Sequence, residues 1–112
     1  MTIEKFVECF AELKVINKGT QLDREVTGPY CCDLLSIAMS KMPQGAAWVT
    51  VMANVNTLAV ATLAEAACII LAEGATLDTD ALDKAKEKGV TVLGTHLPVF
   101  ETALLVYNRI NE

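Results

Sequence analysis

The sequence predicts an α/β fold, a three-layer α/β/α sandwich built on a small, mostly parallel sheet. Two observations carry that expectation. From Ala47 onward, strand-like and helix-like segments alternate regularly, as they do where right-handed crossovers join parallel strands and helices cover both faces. The segments Trp48-Val49-Thr50-Val51 and Cys68-Ile69-Ile70-Leu71 are nearly all apolar, which suits strands buried on both sides. At 112 residues and 53% hydrophobic content the chain is one domain, residues 1–112, with no material for a second core.

The elements follow in order. Ile3, Phe6, Val7, Phe10 and Leu13 recur at helical spacing with Glu4, Lys5, Glu8 and Glu12 opposite, so residues 3–13 read as an amphipathic helix with Thr2 as its N-cap. Val15 and Ile16 make a short strand that Lys18-Gly19 turns away, and residues 25–27 form a second short extended piece. Thr27-Gly28-Pro29-Tyr30 reads as a turn leading to a helix opened by Asp33. That helix buries Leu34, Leu35, Ile37, Ala38 and Met42, and Pro43-Gln44-Gly45 ends it. Strands at 47–52, 68–72 and 90–93 then alternate with helices at 57–66, 79–88 and 98–111. The 57–66 helix carries Ala59, Ala61, Ala64 and Ala66 around its circumference, so it is either buried in the domain or packed on a second subunit.

Charge narrows the function. Fourteen Asp and Glu outnumber nine Lys and Arg, a balance that repels nucleic-acid backbones and anionic lipid. The longest weakly polar run, 58–72, is broken by Thr62 and Glu65 and falls short of the roughly 18 apolar residues of a membrane span. The N-terminus mixes Glu4, Lys5 and Glu8 with hydrophobics and does not read as a signal peptide, so a cytoplasmic location is expected.

The stretch DREVTGPYCCDLLSIAM begins at Asp23. Its order of Asp23, Arg24, Thr27 and Gly28, followed by a hydrophobic helix from Asp33-Leu34-Leu35-Ser36, resembles the DRTGG domain, a family related to the N-terminal domain of HPr kinase/phosphorylase. Pro29 stands where the motif has its second glycine, and proline fixes φ near −65° and removes the N–H. The likeness continues through the strand at 47–52 and the closing Leu97-Pro98-Val99-Phe100-Glu101. The resemblance implies an HPr kinase N-terminal domain-like sandwich. It also implies sensing or assembly, because such domains accompany CBS, phosphotransacetylase-like and dethiobiotin-synthetase-like domains. Neither G-x-G-x-x-G nor G-x-x-x-x-G-K-[ST] occurs, so the chain is not a P-loop kinase.

In an open parallel sheet, ligands bind beyond the carboxyl ends of the strands. That rule selects the loops at Thr27-Gly28-Pro29-Tyr30, Asn54-Val55-Asn56-Thr57, Glu73-Gly74-Ala75-Thr76 and Gly94-Thr95-His96. The candidate ligand-binding residues are Arg24, Thr27, Gly28, Asn54, Asn56, Thr57, Gly74, Thr95 and His96. The loops contain no lysine or arginine of their own, Arg24 being the nearby cation in sequence. Thr27, Asn54, Thr57 and Thr95 equally suit caps of turns and helices. Asp23 and Arg24 read either as a grip on a ligand or partner carboxylate, or as a turn cap and a cross-link to a carboxylate of the fold or a symmetry mate.

The four cysteines contain no C-x-x-C pair, so no metal site and no cofactor is expected, and reduced thiols filling apolar space is the ordinary reading. Cys31 or Cys32 would be reactive only at the N-terminus of the helix after Asp33. His96 has no evident nucleophile or orienting carboxylate in sequence. The chain therefore reads as a non-enzymatic regulatory or protein-interaction module, homodimeric. The alternative is a domain that senses a small molecule, an adenine nucleotide, at the carboxyl ends of the strands.

Overall fold

The computed structural model describes residues 1–112. In chain order the elements are α1 (Ile3–Cys9), β1 (Lys14–Asn17), β2 (Gly28–Cys31), α2 (Leu35–Lys41), β3 (Ala46–Thr50), α3 (Val55–Leu63), β4 (Cys68–Leu71), α4 (Thr79–Lys88), β5 (Thr91–Gly94) and α5 (Val99–Ile110). One five-stranded sheet has the order β1-β5-β4-β3-β2; the last four strands are parallel and β1 pairs antiparallel with β5. Strands β2 to β5 step in one direction across the sheet, so right-handed crossovers put α2, α3 and α4 on the same face. There Trp48, Ile69, Leu71 and Val92 meet Ala38, Leu58, Ala81 and Ala85. The opposite face, with Val49, Ile70 and Leu93, is covered by Ile3 and Phe6 of α1 and Val106 of α5. β3, β4 and β5 are buried at every position, as their nearly all-apolar sequences require, with Thr50 and Thr91 the buried hydroxyls among them. Trp48 is fully buried, and its indole N–H is satisfied by the Cys32 carbonyl at 3.0 Å.

The first third of the chain departs from the sequence-based expectations. Helix α1 stops at Cys9, not Leu13, because Phe10 turns extended (φ −113°, ψ 101°) and Arg109 donates to the Cys9 carbonyl at 2.8 Å. Phe10 and Leu13 are nonetheless buried, and the Arg109 guanidinium lies 5.2 Å from the Phe10 ring centre. The extended piece expected at 25–27 amounts to one antiparallel bridge, Glu25 to Thr2. The strand is instead Gly28–Cys31, so Thr27-Gly28-Pro29-Tyr30 is not a turn. Proline is tolerated there because β2 is an edge strand with one unpaired side. Asp33 does not cap α2. Leu34 holds the cap position without a side-chain bond, and Asp33 Oδ1 accepts from Thr50 Oγ1 at 2.6 Å and from the Val51 N–H at 2.9 Å.

Candidate functional site: a recess where β4 and β5 part

The connections after β2, β3 and β4 all lead to helices on one face, whereas the connection after β5 leads to α5 on the other. Adjacent strands β4 and β5 therefore send the chain in opposite directions at their carboxyl ends. A crevice opens at such a point in open α/β sheets. Here it is a recess of about 220 Å³ lined by Glu12, Lys14, Gly74, Thr76, Gly94, Thr95 and His96. Two glycines keep it open. Gly74 has φ +75°, and a Cβ on it would come within 2.9 Å of His96 Nδ1; a Cβ on Gly94 would come within 2.8 Å of Ile16 Cδ1.

The two loops that form the walls are fastened together. The Glu73 N–H donates to the Leu97 carbonyl and the Gly74 N–H to the Thr95 carbonyl, each at 2.9 Å. The Thr95 hydroxyl accepts from the Leu97 N–H at 3.2 Å. Thr95 is thus buried and shapes the wall, while His96 and Thr76 are exposed groups that a ligand can meet. Lys14 was not legible as a site residue from sequence because it precedes the alternating region by more than thirty positions. Since β1 runs antiparallel, its first residue pairs with Gly94, the last residue of β5, and this puts a cation at the end of the sheet where the loops lacked one. The signal that marks it is strand direction.

Asn54, Asn56 and Thr57 also lie at the carboxyl end, beyond β3, but outside this recess. Asn54 Oδ1 accepts from the N–H groups of Asn56 at 2.9 Å and Thr57 at 3.3 Å, so it caps α3 and occupies the donors an anion would need. The buried Thr57 hydroxyl donates to the Met52 carbonyl at 3.0 Å.

Arg24, Thr27 and Gly28 are at the opposite end of the sheet. Gly28 opens β2 and pairs with Ala46, the first residue of β3, so it belongs to the amino end. Arg24 donates to the Glu65 carbonyl at 2.6 Å. The same oxygen accepts from the Gly45 N–H at 2.8 Å, and Thr27 reaches the Gln44 carbonyl with its hydroxyl (3.1 Å) and the Gly45 carbonyl with its N–H (2.8 Å). These bonds tie the segment before β2 to the turns that end α2 and α3. Arg24 is a cross-link within the fold, as one of its two readings held, but its partner is a backbone carbonyl and not a carboxylate.

The DRTGG domain model matches residues 7–109, nearly the whole chain. The chain belongs to the DRTGG domain family. Among solved structures, this DRTGG domain is similar to the CBS and DRTGG domains of the regulatory region of Clostridium perfringens pyrophosphatase, a structure complexed with the activator diadenosine tetraphosphate. The TM-score is 0.67 at 14% identity, over 84% of this chain and 40% of that one, so the likeness is one of fold and this chain spans less than half of that region. No curated protein matches it in sequence. Within this DRTGG domain the motif residues Arg24, Thr27 and Gly28 brace the amino end, and the recess belongs to residues outside the motif.

The remaining chemical groups are spread out. No three His, Cys, Asp or Glu side chains are placed to hold a metal ion. Cys68 is fully buried, which pushes its thiol up to about 12, and Cys31 is raised by partial burial and then by the Asp33 charge. Neither is the activated thiolate that a helix N-terminus would give, since α2 starts at Leu35, beyond both Cys31 and Cys32. No helix is long and apolar enough to cross a membrane.

Proposed function

We propose that this DRTGG domain is a non-enzymatic regulatory module that senses an adenine nucleotide in the recess between β4 and β5. One observation carries the reading: the chain leaves β4 and β5 toward opposite faces, and the crevice so formed holds a lysine, an imidazole and a threonine hydroxyl over two glycines. Lys14 offers a charge to a phosphate, and His96 and Thr76 offer hydrogen bonds to a ribose or base edge. Support for the ligand class comes from the pyrophosphatase regulatory region of the same fold, whose structure contains diadenosine tetraphosphate. Enclosing pockets for whole ligands of that kind run to roughly 300–1,000 Å³. A recess of about 220 Å³ therefore grips one end of a nucleotide and leaves the rest to another surface.

The test is thermal unfolding and calorimetry with diadenosine tetraphosphate, ATP and AMP. At a hundredfold excess over Kd, binding raises Tm by about 10 °C or more for a domain of this size. Lys14→Ala and His96→Ala weaken binding by about tenfold each without lowering the ligand-free Tm. Unchanged melting with all three nucleotides at millimolar concentration rejects the proposal.

A homodimer is part of the reading, and α3 favours it. Val55–Leu63 carries no charged residue, and its outward Leu63 is 70% exposed. A helix with a neutral outer face is suited to a second copy. Sedimentation of the unaltered protein as a dimer and of Leu63→Glu as a monomer supports this; a monomer in both cases rejects it.

A further inference from the structure

We propose a second binding site, for a small oxyanion, in the cleft at the amino end of the sheet. The cleft measures about 170 Å³ and is bordered by Arg24, Lys88, Gln21 and Thr62. Arg24 is half-buried, and the only bond its guanidinium makes to the protein is the one to the Glu65 carbonyl. A guanidinium has five N–H donors, so most of its capacity is unspent. The surrounding carboxylates do not supply the missing partner. Glu65, although it borders the cleft, holds the side-chain amide of Gln44, and Glu25 holds the N-terminal amine at 2.7 Å. Asp23 is exposed and forms no ion pair with Arg24. Lys88, at the end of α4, is also unpaired and borders the same cleft.

Two uncommitted cations thus share one concavity in a chain of net charge −5, where chance favours acidic neighbours. A phosphate monoester or a carboxylate complements them: it accepts bidentate bonds from Arg24 and a point-charge contact from Lys88. The volume is below that of a site enclosing a nucleoside. The site is separate from the recess at the carboxyl end and shares none of its residues.

Inorganic phosphate, titrated into 15N-labelled protein at constant ionic strength, tests the inference. The expected result is saturable shifts of the Thr62, Gly89, Val90 and Thr91 amides. Lys88→Gln, on an exposed side chain, weakens the affinity by about tenfold, and Lys41→Gln, in the last turn of α2 and outside both cavities, leaves it unchanged. Arg24→Gln abolishes saturation, but it also removes a structural bond, so Lys88→Gln is the deciding variant. Acetate in place of phosphate separates a carboxylate ligand from a phosphoryl one, and saturation by either upholds the site. Shifts that stay linear with both anions, or an affinity that Lys88→Gln does not alter, overturn it.

Discussion

At the amino end of the sheet, Arg24, Thr27 and Gly45 bind the turns of α2 and α3 to the segment before β2. At the carboxyl end, Lys14, Thr76 and His96 line a recess and are held by no comparable bonds, while Thr95 behind them fixes the wall. Both ends draw on the same polar residue types. The difference lies in which groups the backbone has already engaged: bonds to carbonyls make a brace, and side chains left over at the ends of parallel strands make a surface for a ligand. A family motif that marks the brace is therefore a guide to the fold more than to the recess between β4 and β5.

The comparison can be tested first through the cysteines. Cys68 begins β4 inside the closed end, and burial raises its thiol from 9.0 to about 12. The folded protein keeps that proton where the unfolded chain releases it. Stability is thus unaffected by this group below pH 9, and falls as the pH rises from 9 to 12. The full loss is about 4 kcal/mol at most. Denaturant unfolding across this range should decline more steeply than for Cys68→Ala; parallel curves for the two proteins would mean that burial does not hold the Cys68 thiol. Exposed Cys31, at the other end, should react with a thiol reagent in the native state while Cys68 does not.

Asp33→Ala tests the other fastening at the carboxyl end, where β3 leaves the sheet. It leaves the fully buried Thr50 hydroxyl and the Val51 N–H without their acceptor, at a cost of about 2–3 kcal/mol. A Tm within 2 °C of the unaltered protein, by calorimetry, would show that the end of β3 does not depend on this carboxylate. Arg24→Ala tests the brace and is smaller, about 1 kcal/mol, because the Glu65 carbonyl keeps its bond from Gly45. A loss several times larger would make Arg24 the principal fastening and not one of several.

The alternation from Ala47 onward was legible because each buried strand is nearly all apolar and the helices after β3 and β4 have their own start signals: Asn54 and Asp78 cap α3 and α4. Short-range signals failed where a long-range partner decided the outcome. Gly28-Pro29 looks like a turn in isolation, yet pairing with Ala46 and Ala47 makes it an edge strand. Phe10 and Leu13 keep helical spacing, yet Arg109, a hundred residues on, takes the Cys9 carbonyl and the helix ends. Of the residues selected as a site, Gly74, Thr95 and His96 do come together, whereas Arg24, Thr27 and Gly28 lie at the far end. Lys14 was hidden because its place depends on the direction of β1, which pairs with a strand nearly eighty residues away.

That last pairing also governs how the protein is made. A chain emerging from the ribosome exposes Val15 and Ile16 long before their partners, Val92 and Leu93 among them, have been made. The neighbouring strands β2 to β5, each joined to the next by one short crossover, can assemble in the order they are translated. Strand β1 thus waits for a partner made some seventy-five residues later, and its vulnerability to proteases during synthesis should end when β5 is released.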